Sequence, residues 1–232
     1  MQPSDLVLVR GLPDTRATLA RWNERPWPVI GRWAAGALAI AALLLTAVWL
    51  VAELSTAEAG PGTFLARDGD PTLAQAARVV GRNALVLALH AMACVAGYIA
   101  GSSLPHEARR RTGASRRLHE RAGPLAIAFV AAATGFSLVT QALVLGQGAA
   151  TLAAQLGLSP ALLLAGLAPH ALPELVALFL PLAAWLSAAR RRNPDELLAA
   201  TAVTVMLAVP VLVAAAFVEV YVSPGVLRAL AG

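Results

Sequence analysis

Residues 33–51 read WAAGALAIAALLLTAVWLV, a run of 19 positions with no charged side chain. At about 1.5 Å per residue, a helix of that length crosses the roughly 30 Å hydrocarbon core of a bilayer. The rest of the chain has the same character, with 58% hydrophobic residues, 13% charged residues and a mean hydropathy of +0.68. A soluble domain holds roughly 45–50% apolar and about 25% charged residues. The expected fold is therefore all-α, a polytopic transmembrane helical bundle, since a lipid-embedded backbone must satisfy its own hydrogen bonds. The sequence Ala57-Glu58-Ala59 looks like a signal-peptidase site, but the region before it is too long for a signal peptide, so the run is a membrane anchor.

N-terminal to this span, residues 1–32 form a cytoplasmic segment with five arginines. A short amphipathic helix is expected there, capped by Asp14, stopped before Pro26 and lying on the membrane surface through Leu19 and Trp22. Residues 33–225 are expected to form the bundle as one domain. After a loop over 52–70, Asp70-Pro71 reads as a helix start leading to a second span, Ala84 to Ser102. Within it, Gly97 and Gly101 offer a GxxxG surface to a neighbouring helix or to a second copy of the chain. A third span covers Pro124 to Leu145, followed by a less apolar stretch to Ser159-Pro160, which reads as the next helix start. Pro169 and Pro173 then divide residues 161–189 into a short broken or re-entrant piece, 161–168, and a fourth span, 171–189. The fifth span is Leu197 to Val222, closed by Ser223-Pro224-Gly225.

All 18 basic residues are arginine, and the net charge is +5. Such a balance fits nucleic acid, but the arginines sit at the ends of apolar runs, so the expected partner is the bilayer and not nucleic acid. Fourteen of them fall within 1–32, 105–122 and 190–192. That bias gives five spans in the cell membrane, N-terminus cytoplasmic and C-terminus outside. Cys94 is the one cysteine, so no intrachain disulfide forms, and it reads as packing.

Against this apolar background stand Asn83, His90, His170, Glu174 and Glu219. Seven residues place His90 about 10 Å along the helix from Asn83, and His170 and Glu174, four apart, share a helix face. The topology puts the whole set at a similar depth in the outer half of the membrane. A carboxylate there costs several kcal/mol unless paired or protonated. The group is thus a candidate proton relay, cation site, metal site or helix-locking network.

The stretches Pro169-His170-Ala171-Leu172-Pro173-Glu174-Leu175 and Ala215-Ala216-Phe217-Val218-Glu219-Val220-Tyr221-Val222-Ser223-Pro224 resemble the stage II sporulation protein M family of integral membrane proteins. Asn83 would match an asparagine of that family's earlier span, whereas Ala171 stands where glycine is usual and Arg82 where another asparagine is usual. The resemblance implies a non-enzymatic membrane scaffold that recruits cell-envelope enzymes, or an ATPase, at the membrane. The polar group also fits a second class, an ion- or proton-coupled transporter or channel. A metal-dependent hydrolase is the weakest reading, because His-x-x-x-Glu is not the paired-histidine zinc motif. No nucleotide-binding glycine motif occurs, and no cofactor or metal is expected.

Overall fold

A computed structural model describes residues 11–57, 70–103 and 112–232. Among these residues every regular element is helical. The chain forms α1 (Leu12–Glu24), α2 (Pro26–Leu54), α3 (Leu73–Tyr98) with a terminal π-turn (Ile99–Ser103), α4 (Gly113–Leu156) and α5 (Pro160–Arg191). A 3₁₀ turn (Pro194–Glu196) leads into α6 (Leu197–Phe217), a π-turn (Val218–Val222) and α7 (Ser223–Ala231). Among the described residues, five helical stretches are long and apolar enough to cross a membrane: Pro26–Leu54, Leu73–Gly101, Ile127–Leu156, Pro160–Arg191 and Pro194–Ala231. The chain is thus a multi-pass, all-α membrane protein. Most of the loop over 52–70 and the arginines at 109–111 lie outside the described residues.

Several element boundaries depart from the sequence expectation. α1 begins at Leu12 and not at Asp14, because Pro13 suits the first helical turn, where a missing N–H is harmless. Its cap position is Gly11, which carries no side-chain cap bond. Asp70 does not cap α3 either. Thr72 does, in a reciprocal capping box: Gln75 N–H donates to Thr72 Oγ1, and Thr72 N–H donates to Gln75 Oε1. α4 does not end near Leu145 but runs on to Leu156. Gly146 continues the helix because it lets α2 approach, where an added Cβ would stand 2.5 Å from Val51 and 2.9 Å from the Val48 carbonyl. The stop comes at Gly157, φ +67°, where Leu158 N–H bonds the Ala153 carbonyl in a Schellman motif. Arg192, φ +53°, ends α5 in the same way, with Asn193 N–H on Ala188.

The expected break before the fourth span is absent: α5 is one helix of 32 residues through Pro169 and Pro173. Each proline removes a single N–H, from the carbonyls of Ala165 and Pro169 respectively. Breaking the helix in lipid would leave more backbone groups unpaired than bending it does. Ser159 does start this helix as expected, accepting from Leu162 N–H. Nor does Ser223-Pro224-Gly225 close the last span. Pro224 occupies the first turn of α7, and the helical path continues to Ala231.

The chain forms two compact units. Unit 1 comprises 1–37, 86–134 and 178–208, and unit 2 comprises 38–85, 135–177 and 209–232. In unit 1, α1 docks by Gly11, which meets Tyr98 and Leu198. Trp22 packs edge-on to Trp33 at 5.1 Å, and Arg21 reaches Glu196 at 3.4 Å, with Arg191 on the same carboxylate at 2.9 Å. The amphipathic face of α1 is therefore used, at least in part, against protein. Gly97 and Gly101 serve the same unit: a Cβ at Gly97 would lie 2.6 Å from Trp185 Nε1, and one at Gly101 2.6 Å from Pro194. The face that the sequence offers to a second copy is filled here by the chain itself. In unit 2, Gly166 brings α5 against Leu227 and Leu230 of α7, with Leu163 fully buried beside it in sequence.

Candidate functional site

Unit 2 holds Asn83 of α3, His170 and Glu174 of α5, and Glu219 of the π-turn. Polar contacts link them across helices. Arg82 Nη2 lies 3.9 Å from Glu219 Oε1, an ion pair too long for a hydrogen bond, with 66% and 29% of the two side chains exposed. Glu174 lies within electrostatic range of both Glu219 and Arg82 and next to the Asn83 amide. Asn83 is 3% exposed. The amide and the carboxyl are neighbours without a well-formed hydrogen bond, since Asn83 Nδ2 and Glu174 Oε2 are both buried and unpartnered.

His170 belongs to a second link. Its Nδ1 lies 2.7 Å from Ser223 Oγ, both residues being buried, and Ser223 Oγ donates to the Val218 carbonyl at 3.2 Å. Ser223 Oγ thus sits between the His170 ring and the Val218 carbonyl, and the direction of the His170–Ser223 bond follows the ring tautomer. The π-turn makes this geometry available. Its wider i→i−5 spacing sends Ser223 N–H to the Val218 carbonyl and turns Glu219 and Ser223 toward partners on other helices. Such turns mark functional positions in helices. His170 sits ten residues inside α5, not at the helix cap expected from the prolines.

His90 is placed elsewhere, in unit 1, with its ring 5.6 Å from that of Phe179 and against the Leu178 backbone. Cys94, in the same unit, is buried and donates its thiol to the Pro181 carbonyl at 3.1 Å. Pro169 and Pro173 line an apolar cleft of about 320 Å³ in unit 2 with Pro210, Ala214 and Val218. Among the described residues no group of three or more His, Cys, Asp or Glu side chains is arranged to hold a metal ion. Ser223 and Arg82 are interhelical contacts that the charge pattern alone did not single out. The signal for each was present: Arg82 is a rare cation beside a span, and Ser223 opens a Ser-Pro step.

The family comparison bears on this same arrangement. Residues 125–224 match the model of the Stage II sporulation protein M family. The chain is therefore similar to stage II sporulation protein M over a little under half its length. The matched stretch runs from α4 to the start of α7 and contains His170, Glu174, Glu219 and Ser223, while Arg82 and Asn83 lie before it. No curated protein and no solved structure matches the chain.

Proposed function

We propose that the chain is a non-enzymatic membrane protein of the stage II sporulation protein M type, which holds a helical platform in the cell membrane and recruits protein partners to it. The observation that carries this reading is the use made of the polar residues in unit 2. Arg82 with Glu219 and His170 with Ser223 each couple side chains from different helices, and Asn83 lies beside Glu174 without a well-formed hydrogen bond. Interhelical polar contacts of this kind contribute about 0.6–2 kcal/mol each in a membrane. The partners that fit the resemblance are cell-envelope enzymes or an ATPase, and the arginine-rich segments supply a cationic cytoplasmic face for them. The N-terminus is then cytoplasmic and the C-terminus outside, as the arginine bias requires.

A second reading, an ion- or proton-coupled transporter, is favoured by the two buried atoms of unit 2 that have no partner, Asn83 Nδ2 and Glu174 Oε2. The two readings separate in the Glu219→Gln protein. A scaffold retains its fold and the partners captured by the wild-type chain from detergent-solubilised membranes. Partners retained while an ion flux disappears would reject the scaffold.

A further inference from the structure

The charges in unit 2 do not balance. Glu174 and Glu219 bring two carboxylates, and Arg82 is the one cation recorded near both. Asn83 lies beside Glu174, and His170 lies within electrostatic range of Glu219 with Ser223 bonded to its ring. Asn83 and Ser223 carry no charge, and a neutral His170 can pair with Ser223 in either tautomer. With both carboxylates ionised, one negative charge would be left over inside a membrane-spanning bundle, where an unbalanced carboxylate is costly.

Independently of charge, two buried atoms at this place lack partners, and they are complementary. Asn83 Nδ2 is a donor with nothing to donate to, and Glu174 Oε2 is an acceptor with nothing to accept. They belong to neighbouring side chains whose approach falls short of a well-formed hydrogen bond at these two atoms. A water seated between them would accept from Nδ2 and donate to Oε2, leaving its second lone pair for a cation. Arg82 cannot fill the place as it stands, being 66% exposed and 3.9 Å from Glu219.

The geometry points to a binding site for one exchangeable monovalent cation, formed by Glu174, Glu219 and the Asn83 amide, with Arg82 as its tethered competitor. A hydrated alkali ion and a hydronium ion share the required chemistry, namely a single positive charge that arrives with water. A divalent ion would overcompensate the charge. Binding does not require transport, so the site is compatible with a static scaffold.

The test is thermal unfolding of the purified full-length protein, in choline chloride and in sodium or potassium chloride at constant pH and ionic strength, then across pH in choline alone. A site near saturation raises Tm by roughly 5 °C or more. An alkali-ion response identifies the ligand as sodium or potassium, whereas a pH response in choline identifies it as the proton. Either response should vanish in Glu174→Gln. Because that variant could fail to fold, Arg82→Gln provides the second arm: removing the exposed competitor should lower the half-saturating cation concentration about tenfold. A wild-type Tm indifferent to sodium, potassium and pH would overturn the proposal. So would an Arg82→Gln protein that loses the same stability in every medium, the behaviour of a plain structural ion pair.

Discussion

Ser223 makes two contacts with one hydroxyl, and the energetic consequence is asymmetric. Ser223→Ala removes the hydrogen-bond partner of His170 Nδ1 at a site where the histidine is only 8% exposed. Leaving a buried polar group unsatisfied costs about 1–3 kcal/mol, more than the bond itself contributes. The expected result is a clear drop in Tm for Ser223→Ala in detergent, partly restored in Ser223→Thr, which keeps the hydroxyl. An unchanged Tm in Ser223→Ala would show that the histidine finds another partner. At this scale the sequence singled out these residue types because an acid or histidine in an apolar run stands out by its cost alone. It did not identify which of them meet. Asn83, His170, Glu174 and Glu219 fall in one unit, but His90, seven residues from Asn83, turns to Phe179 in the other. Counting residues gives position along each helix, whereas rotation about the helix axis is not legible in that way.

Among the elements, proline carried the reading that changed, while glycine kept the first of its two expected roles. Gly97 and Gly101 fit a helix-association pattern, and within the chain Trp185, Leu197 and Pro194 fill their faces. Gly97→Leu is accordingly expected to destabilise the individual chain by about 1–3 kcal/mol through overpacking. Unfolding at several protein concentrations checks this, since a purely dimer-forming glycine would change only the concentration dependence. Pro169 and Pro173 suggested a break because proline interrupts helices in water. In lipid the continuous helix wins, and the prolines instead line an apolar cleft. Helix starts were easier to read than helix stops. Ser159-Pro160 is a start as expected, and Thr72-x-x-Gln75 is a recognisable capping box two residues past the expected Asp70. The stops at Gly157 and Arg192 depend on a left-handed residue, and an arginine in that role has no strong sequence signature.

For the molecule as a whole, the number of spans and the all-α class were legible from hydropathy, because length and apolarity are the physical requirements for crossing a bilayer. Orientation rests on the distribution of arginine and is checked directly. A single cysteine introduced beside Gly232, in a chain with Cys94 replaced, should react with an impermeant thiol reagent added to intact cells. Labelling only after lysis would reverse the assignment. The central claim is that the polar residues of unit 2 lock helices together in a membrane scaffold and do not line a route for ions. The most direct measurement is flux of sodium, potassium and protons across liposomes reconstituted with the wild-type protein and with Glu219→Gln. The account predicts no flux above empty liposomes for either protein. A wild-type flux that Glu219→Gln abolishes would contradict it and establish the transporter in its place.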